Sequence, residues 1–225
     1  MINNNDNTRS EPVFNLPPVV QALCLINTSV FLLQTFFPRL MTDSLLDQLA
    51  FVPTRYMGVE PLTLPEIASP LTHMFIHASW LHLLMNMAML MAFGAGLEKT
   101  MGGKKMLLFY FATGLCGAAI HTVFYPHSTL PMIGASGAIS GLFGGVVLLM
   151  YDAGMMGAKP AGQGLMSYRT LLPVVLVWIG VSVFFGFFGM PGLDNPIAWD
   201  VHVGGFISGL LLYRPVCRLK IKSSG

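Results

Sequence analysis

The chain has 225 residues, of which 54% are apolar and only 10% are charged, and its mean hydropathy is +0.66. This composition excludes an ordinary water-soluble domain and indicates a polytopic membrane protein. The formal net charge of +2, without a basic cluster interleaved with aromatics, argues against a nucleic-acid partner. Three scattered cysteines, Cys24, Cys116 and Cys217, provide neither a disulfide framework nor the spacing of a zinc site, so no metal is expected.

Six apolar stretches, each near the roughly 20 residues that a membrane-spanning helix needs, follow a polar leader at residues 1–15. We expect the leader to be disordered and cytoplasmic, and the first stretch to be retained because no small-residue cleavage site follows it. The predicted spans are Pro17–Phe37, Thr72–Leu97, Met106–Tyr125, Ile133–Tyr151, Leu171–Met190 and Pro196–Tyr213. The predicted fold is all-α, a bundle of six transmembrane helices within residues 16–215, followed by a basic cytoplasmic tail at residues 216–225.

Two segments between the spans differ from simple turns. The first, Pro38–Leu71, is long and semi-apolar, and we expect short amphipathic pieces there that rest at the membrane surface. The second, Gly189–Trp199, contains two prolines and two further turn-forming residues, so it cannot be a regular helix. Its position between the fifth and sixth spans makes it a candidate gate.

The distribution of Lys and Arg predicts the orientation. A cytoplasmic N-terminus leaves only Arg39 and Arg55, of twelve basic residues, on the outer side, in agreement with the positive-inside rule. The inner set is Arg9, Lys99, Lys104, Lys105, Lys159, Arg169, Arg214, Arg218, Lys220 and Lys222. Both termini are therefore predicted to be cytoplasmic, in a multi-pass protein of the inner (plasma) membrane.

Polar side chains inside the spans are few and clustered. Each needs a reason, because a charged residue at bilayer depth costs on the order of 2.5–3.5 kcal/mol on insertion scales. The set is His73, His77, His82 and Asn86 in the second span, Ser136 and Ser140 in the fourth, and His202 and Ser208 in the sixth. His82 and Asn86 share one helical face, which permits joint action or only a hydrogen bond between helices. His73 and His77, near the outer end, favour an interfacial or loop-anchoring role.

Two glycine stripes bring the fourth and sixth spans together. Gly137, Gly141 and Gly145 recur at four-residue spacing after Gly134, and the sixth span offers Gly205 and Gly209. Such stripes let two helix backbones approach closely. Since Ser136 adjoins one stripe and His202 lies one turn before the other, packing of the stripes predicts that these side chains meet.

A serine beside a histidine suggests nucleophilic catalysis, because the imidazole can take the hydroxyl proton. The tetrahedral intermediate then needs donors for its oxyanion. Candidates are the Asn86 amide, a ring nitrogen of His82 and the backbone N–H of Ser136 at a helix N-terminus. We identify no spare acidic residue in these spans that would orient His202, so a dyad is predicted rather than a triad. Ser140, one turn deeper, is interpreted as a packing serine.

These motifs resemble the rhomboid family of intramembrane serine proteases. They are His77-Ala-Ser-Trp-Leu-His82-Leu-Leu-Met-Asn86, Gly134-Ala-Ser136-Gly137, and His202 followed by Gly205 and Gly209. The resemblance implies a nucleophilic Ser136, a general base at His202, and an oxyanion site lined by His82 and Asn86. It also implies a structural His77, a buried bonding partner in Glu98, and hydrolysis of transmembrane substrates near their outward-facing ends without a cofactor. The Trp-Arg pair that many members carry in the first outer loop is absent.

Two other interpretations compete with a protease. A non-catalytic member of the same fold would bind membrane helices without cutting them, and it would typically lack the serine or the histidine. A small transporter or channel would use the intramembrane histidines as a proton relay. Labelling by a serine-reactive fluorophosphonate and transport in liposomes, respectively, distinguish these interpretations from proteolysis.

Overall fold

The computed structural model describes residues 16–40, 42–156, 168–189 and 198–220. Within these ranges the secondary structure is helical, apart from one isolated antiparallel bridge between Phe51 and Met132. The α-helices are α1 (Pro18–Phe36), α2 (Asp43–Leu49), α3 (Leu64–Thr72), α4 (Trp80–Met101), α5 (Gly103–Phe124), α6 (Ser136–Asp152), α7 (Tyr168–Phe188) and α8 (Trp199–Arg218). The prediction of an all-α fold is confirmed.

Four of the helices, α1, α4, α5 and α7, are long and apolar enough to cross a membrane. The other two predicted spans correspond to α6 and α8. Helix α6 is apolar but has only 17 residues, which gives a length of about 26 Å at 1.5 Å per residue. Helix α8 carries Asp200, His202 and Arg214, which lower its apolar character. A membrane helical bundle is therefore confirmed, while the count of six spans stays a prediction.

The second span begins later than predicted. Helix α4 starts at Trp80 rather than near Thr72, because the Ser79 side chain caps it by accepting a hydrogen bond from the His82 N–H at 3.2 Å. A short 3-10 turn, His73–Phe75, and an extended link occupy the preceding residues. The prediction that His73 and His77 belong to the second spanning helix is therefore wrong, since both lie on the connection that enters α4.

Glu98 closes the opposite end of the bundle. Its two carboxylate oxygens accept hydrogen bonds from the backbone N–H groups of Val19 and Val20, at 2.9 and 2.8 Å. The first N–H groups of a helix have no partner within the helix, and Pro17, which precedes α1, offers no side-chain cap. The buried carboxylate near the end of α4 therefore caps α1 and joins the two helices.

The segment between α1 and α4 folds into short helical pieces, α2, a 3-10 turn at Pro53–Tyr56, and α3. It is attached by backbone hydrogen bonds to the loop that leads into α6. Phe51 and Met132 exchange two such bonds, at 3.0 and 2.8 Å, and the Gly134 N–H donates to the His73 carbonyl at 2.9 Å. These long-range contacts fix the chain immediately before Ser136.

Three sequence predictions fall partly or wholly outside the described residues. They concern the disordered leader at residues 1–15, the gate segment over residues 190–197, and the end of the basic tail at residues 221–225.

Candidate active site

Helices α6 and α8 touch through their backbones. A Cβ atom added to Gly205 would lie 2.0 Å from the Gly137 carbonyl oxygen, and one added to Gly209 would lie 2.1 Å from the Gly141 carbonyl oxygen. One turn further along, a Cβ on Gly144 would lie 2.4 Å from the Phe206 carbonyl oxygen. Only hydrogen fits at these positions, so the close approach of the two helices depends on glycine.

Two of the predicted packing glycines contact other elements. A Cβ on Gly145 would meet the Phe109 ring of α5 at 2.8 Å, because this position has rotated away from α8. Gly134 precedes α6 and adopts a φ of 111°, which favours glycine, and its open side faces the His82 imidazole. The contact between α6 and α8 therefore involves Gly137, Gly141 and Gly144.

The structure brings Ser136 and His202 together. Ser136 is the first residue of α6, and its Oγ forms a 2.8 Å hydrogen bond with Nε2 of His202, which lies near the start of α8. The two residues are 66 positions apart in the chain. For the hydroxyl to donate, Nε2 must be unprotonated and the proton of the neutral ring must be on Nδ1. This arrangement can generate a serine nucleophile with the imidazole as general base.

His82 and Asn86 lie against Gly134, two positions before Ser136. A Cβ on Gly134 would be 2.7 Å from Nε2 of His82 and 3.9 Å from the Asn86 amide nitrogen. The Ala78 N–H donates to Nδ1 of His82 at 3.4 Å, so the neutral ring carries its proton on Nε2, towards Gly134. One hydrogen of the Asn86 amide is used by the His82 carbonyl at 3.0 Å, which leaves the second for another acceptor.

Three helix N-termini converge at this place. Helices α4, α6 and α8 each start within a few residues of His82, Ser136 and His202, respectively. The first N–H groups of a helix lack intrahelical acceptors, and the helix dipole favours negative charge nearby. An oxyanion formed beside Ser136 would therefore be stabilised by fixed dipoles as well as by side-chain donors.

His77 and His73 contact residues that line the site, His82 and Gly134 respectively. The buried His77 ring packs edge-on against the His82 ring, with centroids 5.0 Å apart, and Gln34 of α1 contacts its backbone. His73 is also buried, and its carbonyl accepts the hydrogen bond from Gly134. Ser140 is buried one turn below Ser136, and the bond to Nε2 of His202 is made by Ser136.

One acidic residue was missed in the sequence. Asp200 lies in the first turn of α8, within the predicted sixth span, and is 2% exposed. The view that no spare carboxylate is present there was therefore wrong. Its Oδ2 lies 2.6 Å from Nδ1 of His121 in α5, so its side-chain partner is His121 rather than His202. The signal was available, because Asp200 and His121 are both ionisable residues inside predicted spans, where each requires a partner.

Comparison with known proteins places these features in one family. The family model for the Rhomboid domain matches residues 65–219, which include α4 to α8 and every candidate catalytic residue. The chain is 32% identical over 138 residues to RHOMBOID-like protein 4 of Arabidopsis thaliana, covering 61% of this chain and 31% of that protein.

Two bacterial relatives give similar values. Rhomboid protease GluP of Bacillus subtilis is 33% identical over 139 residues, covering 62% of this chain and 24% of GluP. Rhomboid protease GlpG of Salmonella choleraesuis is 28% identical over 153 residues, covering 68% of this chain and 50% of GlpG. The matched region thus spans half or less of each of these relatives. Because the Rhomboid domain covers more than half of the chain, this membrane protein belongs to the rhomboid family.

Proposed function

We propose that this chain is an intramembrane serine endopeptidase that hydrolyses peptide bonds of transmembrane substrates through a dyad of Ser136 and His202. The observation that carries the proposal is the 2.8 Å hydrogen bond between Ser136 Oγ and His202 Nε2. Two relatives named as rhomboid proteases, GluP and GlpG, support the same chemistry. A non-catalytic member of the fold does not need a serine and a histidine in hydrogen-bond contact.

The reaction follows from this geometry. His202 accepts the Ser136 proton at Nε2 as the oxygen attacks the scissile carbonyl, and it then donates that proton to the leaving amine. A water molecule, deprotonated by the same nitrogen, hydrolyses the acyl-enzyme and regenerates the serine. Asn86, His82 and the Ser136 N–H are the proposed donors to the oxyanion.

The substrate side follows from the orientation. With Lys and Arg concentrated on the cytoplasmic side, Ser136 and His202 lie towards the outer end of their helices. We therefore propose cleavage near the outward-facing membrane surface, in a six-span inner-membrane protein with both termini in the cytoplasm. Substrates are single-span or other transmembrane proteins whose helix can unwind at the cut, because a regular helix engages its carbonyls in hydrogen bonds.

The oxyanion assignment predicts a partial effect at Asn86. Asn86→Ala is expected to lower kcat by up to about 10²–10³-fold, the usual result of losing one oxyanion donor, with the smaller values where His82 and the Ser136 N–H compensate. Asn27→Ala is a matched control, because Asn27 is also a buried asparagine that bonds to its own helix, at 2.7 Å to the Leu23 carbonyl. Steady-state cleavage of a reconstituted single-span substrate measures both. Unchanged kcat in Asn86→Ala would remove this residue from the proposed site.

The proposed function is tested with the wild-type protein in liposomes containing a panel of single-span substrates. We expect cleavage near the outward-facing end of the substrate helix, located by mass spectrometry of the products, and covalent labelling of Ser136 by a fluorophosphonate. Ser140→Ala should keep both the label and the activity. Absence of cleavage and label would contradict the proposal and favour a helix-binding protein, whereas ion transport that survives Ser136→Ala would favour a transporter.

A further inference from the structure

The His121–Asp200 pair is a buried ion-pair contact. Its two side chains are 10% and 2% exposed, whereas those of Arg55–Asp47, Arg55–Glu66 and Arg214–Asp152 are at least 19% exposed. Burial of a carboxylate costs several kcal/mol unless its partners restore the lost hydration, and an apolar pair of similar volume would often be as stable. The position of the pair therefore calls for a role beyond stability.

The pair lies on the opposite side of α8 from the dyad. Asp200 and His202 are two residues apart, which separates their side chains by about 200° around the helix axis. His202 consequently faces Ser136 of α6, while Asp200 faces His121 of α5. The first turn of α8 is held from both sides by polar contacts, and each contact joins it to a different helix.

Close backbone packing surrounds the pair. A Cβ on Gly117 of α5 would lie 3.0 Å from the Val201 carbonyl oxygen, and one on Gly204 would lie 2.8 Å from the Ile120 side chain. Van der Waals contacts of this kind set the distance between α5 and α8, but they are not directional. A directional 2.6 Å contact fixes the axial position, and hence the level at which His202 meets Ser136.

The charge of Asp200 is suited to its position. A carboxylate in the first turn of a helix interacts favourably with the helix dipole. Asp200 is also only two residues from His202 in the first turn of α8. When His202 takes the Ser136 proton, a positive charge forms on the imidazole, and a negative charge nearby stabilises it.

We propose that Asp200 and His121 are positioning residues for the general base, His202. Their contact holds the first turn of α8 at the level where His202 Nε2 reaches Ser136 Oγ. The proposal rests on the proposed proteolytic function. In this role neither Asp200 nor His121 exchanges a proton with Ser136, His202 or the substrate.

The test compares Asp200→Ala, His121→Ala and the double variant with the wild type in liposomes. Each single variant is expected to lower kcat by about 10- to 100-fold, since a misplacement near 1 Å costs up to about 10²-fold, while KM changes less than about threefold. The double variant should lose no more than the larger single loss, because the two residues act as a unit. Thr122→Ala is the control, because the Thr122 hydroxyl bonds within α5, to the Ala118 carbonyl.

Asp200→Asn separates position from charge. The asparagine oxygen can still accept a hydrogen bond from His121 Nδ1–H but carries no charge. Compared with Asp200→Ala, we expect Asp200→Asn to have a melting temperature closer to that of the wild type and a partly recovered kcat. Rates are expressed per fluorophosphonate-titrated site, so a smaller folded fraction does not lower kcat.

Wild-type kcat in folded Asp200→Ala and His121→Ala, even with lowered melting temperatures, would overturn the inference and leave the pair a stability element. If Asp200→Ala does not fold, the double variant His121→Leu/Asp200→Leu applies the same criterion, because an apolar pair removes the contact without leaving a buried charge unpaired. Absence of cleavage by the wild type itself would instead contradict the proposed function. The two failures are therefore distinguishable.

Discussion

Ser136→Ala and His202→Ala are each expected to reduce cleavage of a transmembrane substrate by at least about 10³-fold. Alanine at position 136 removes the attacking oxygen, and alanine at position 202 leaves a hydroxyl without the group that accepts its proton at 2.8 Å. Residues that act as one unit have strongly non-additive effects, so the double variant should be no less active than the more impaired single variant.

The measurement is the initial cleavage rate of one single-span substrate in liposomes, with the melting temperature in detergent as a check of folding. Both substitutions remove a few atoms at the N-terminal ends of α6 and α8, and we expect melting temperatures close to that of the wild type. Ser140→Ala and Ser208→Ala are matched controls, since each removes a buried hydroxyl from the same two helices. Substantial cleavage by either dyad variant, in folded protein, would refute the mechanism.

The helices were predictable because their signals are local. A stretch of about 20 apolar residues identifies a membrane helix wherever it packs, and α1, α5 and α7 begin and end within three residues of the predicted spans. The meeting of Ser136 and His202 followed from the glycine spacing, which depends only on the helical repeat. Such patterns do not require knowledge of the tertiary structure.

Two of the missed features join residues that are distant in the chain. Asp200 and His121 are 79 positions apart, and no periodicity connects them. The bridge between Phe51 and Met132 joins two irregular loops, where composition carries little information. The start of α4 was misplaced because hydropathy ignores the Ser79 cap, which ends the preceding extended link although Met74 and Ile76 are apolar. The sequence therefore predicts the contact between Ser136 and His202, whereas the long-range contacts around that pair are found only in the structure.

Gly205→Ala is expected to damage both stability and activity, although it adds a single methyl group. The new Cβ would lie 2.0 Å from the Gly137 carbonyl oxygen, and contacts under 3.0 Å are essentially never observed, so α6 and α8 must separate by about 1 Å. Overpacking of this kind typically costs about 1–3 kcal/mol. The same displacement lengthens the 2.8 Å bond between Ser136 and His202 and should lower kcat by up to about 10²-fold.

Gly180→Ala in α7 is the matched control, because a Cβ there meets no atom within 4 Å and alanine has the higher helix propensity. It should leave kcat unchanged and maintain or slightly raise the melting temperature, whereas Gly205→Ala lowers both. Gly209→Ala is more informative still, since its clash with the Gly141 carbonyl lies one turn deeper, at 2.1 Å. If close contact of the backbones sets the distance between nucleophile and base, both variants must slow the reaction, and the one beside the dyad must slow it more. Wild-type rates in both would show that α6 and α8 can separate without moving the reacting atoms.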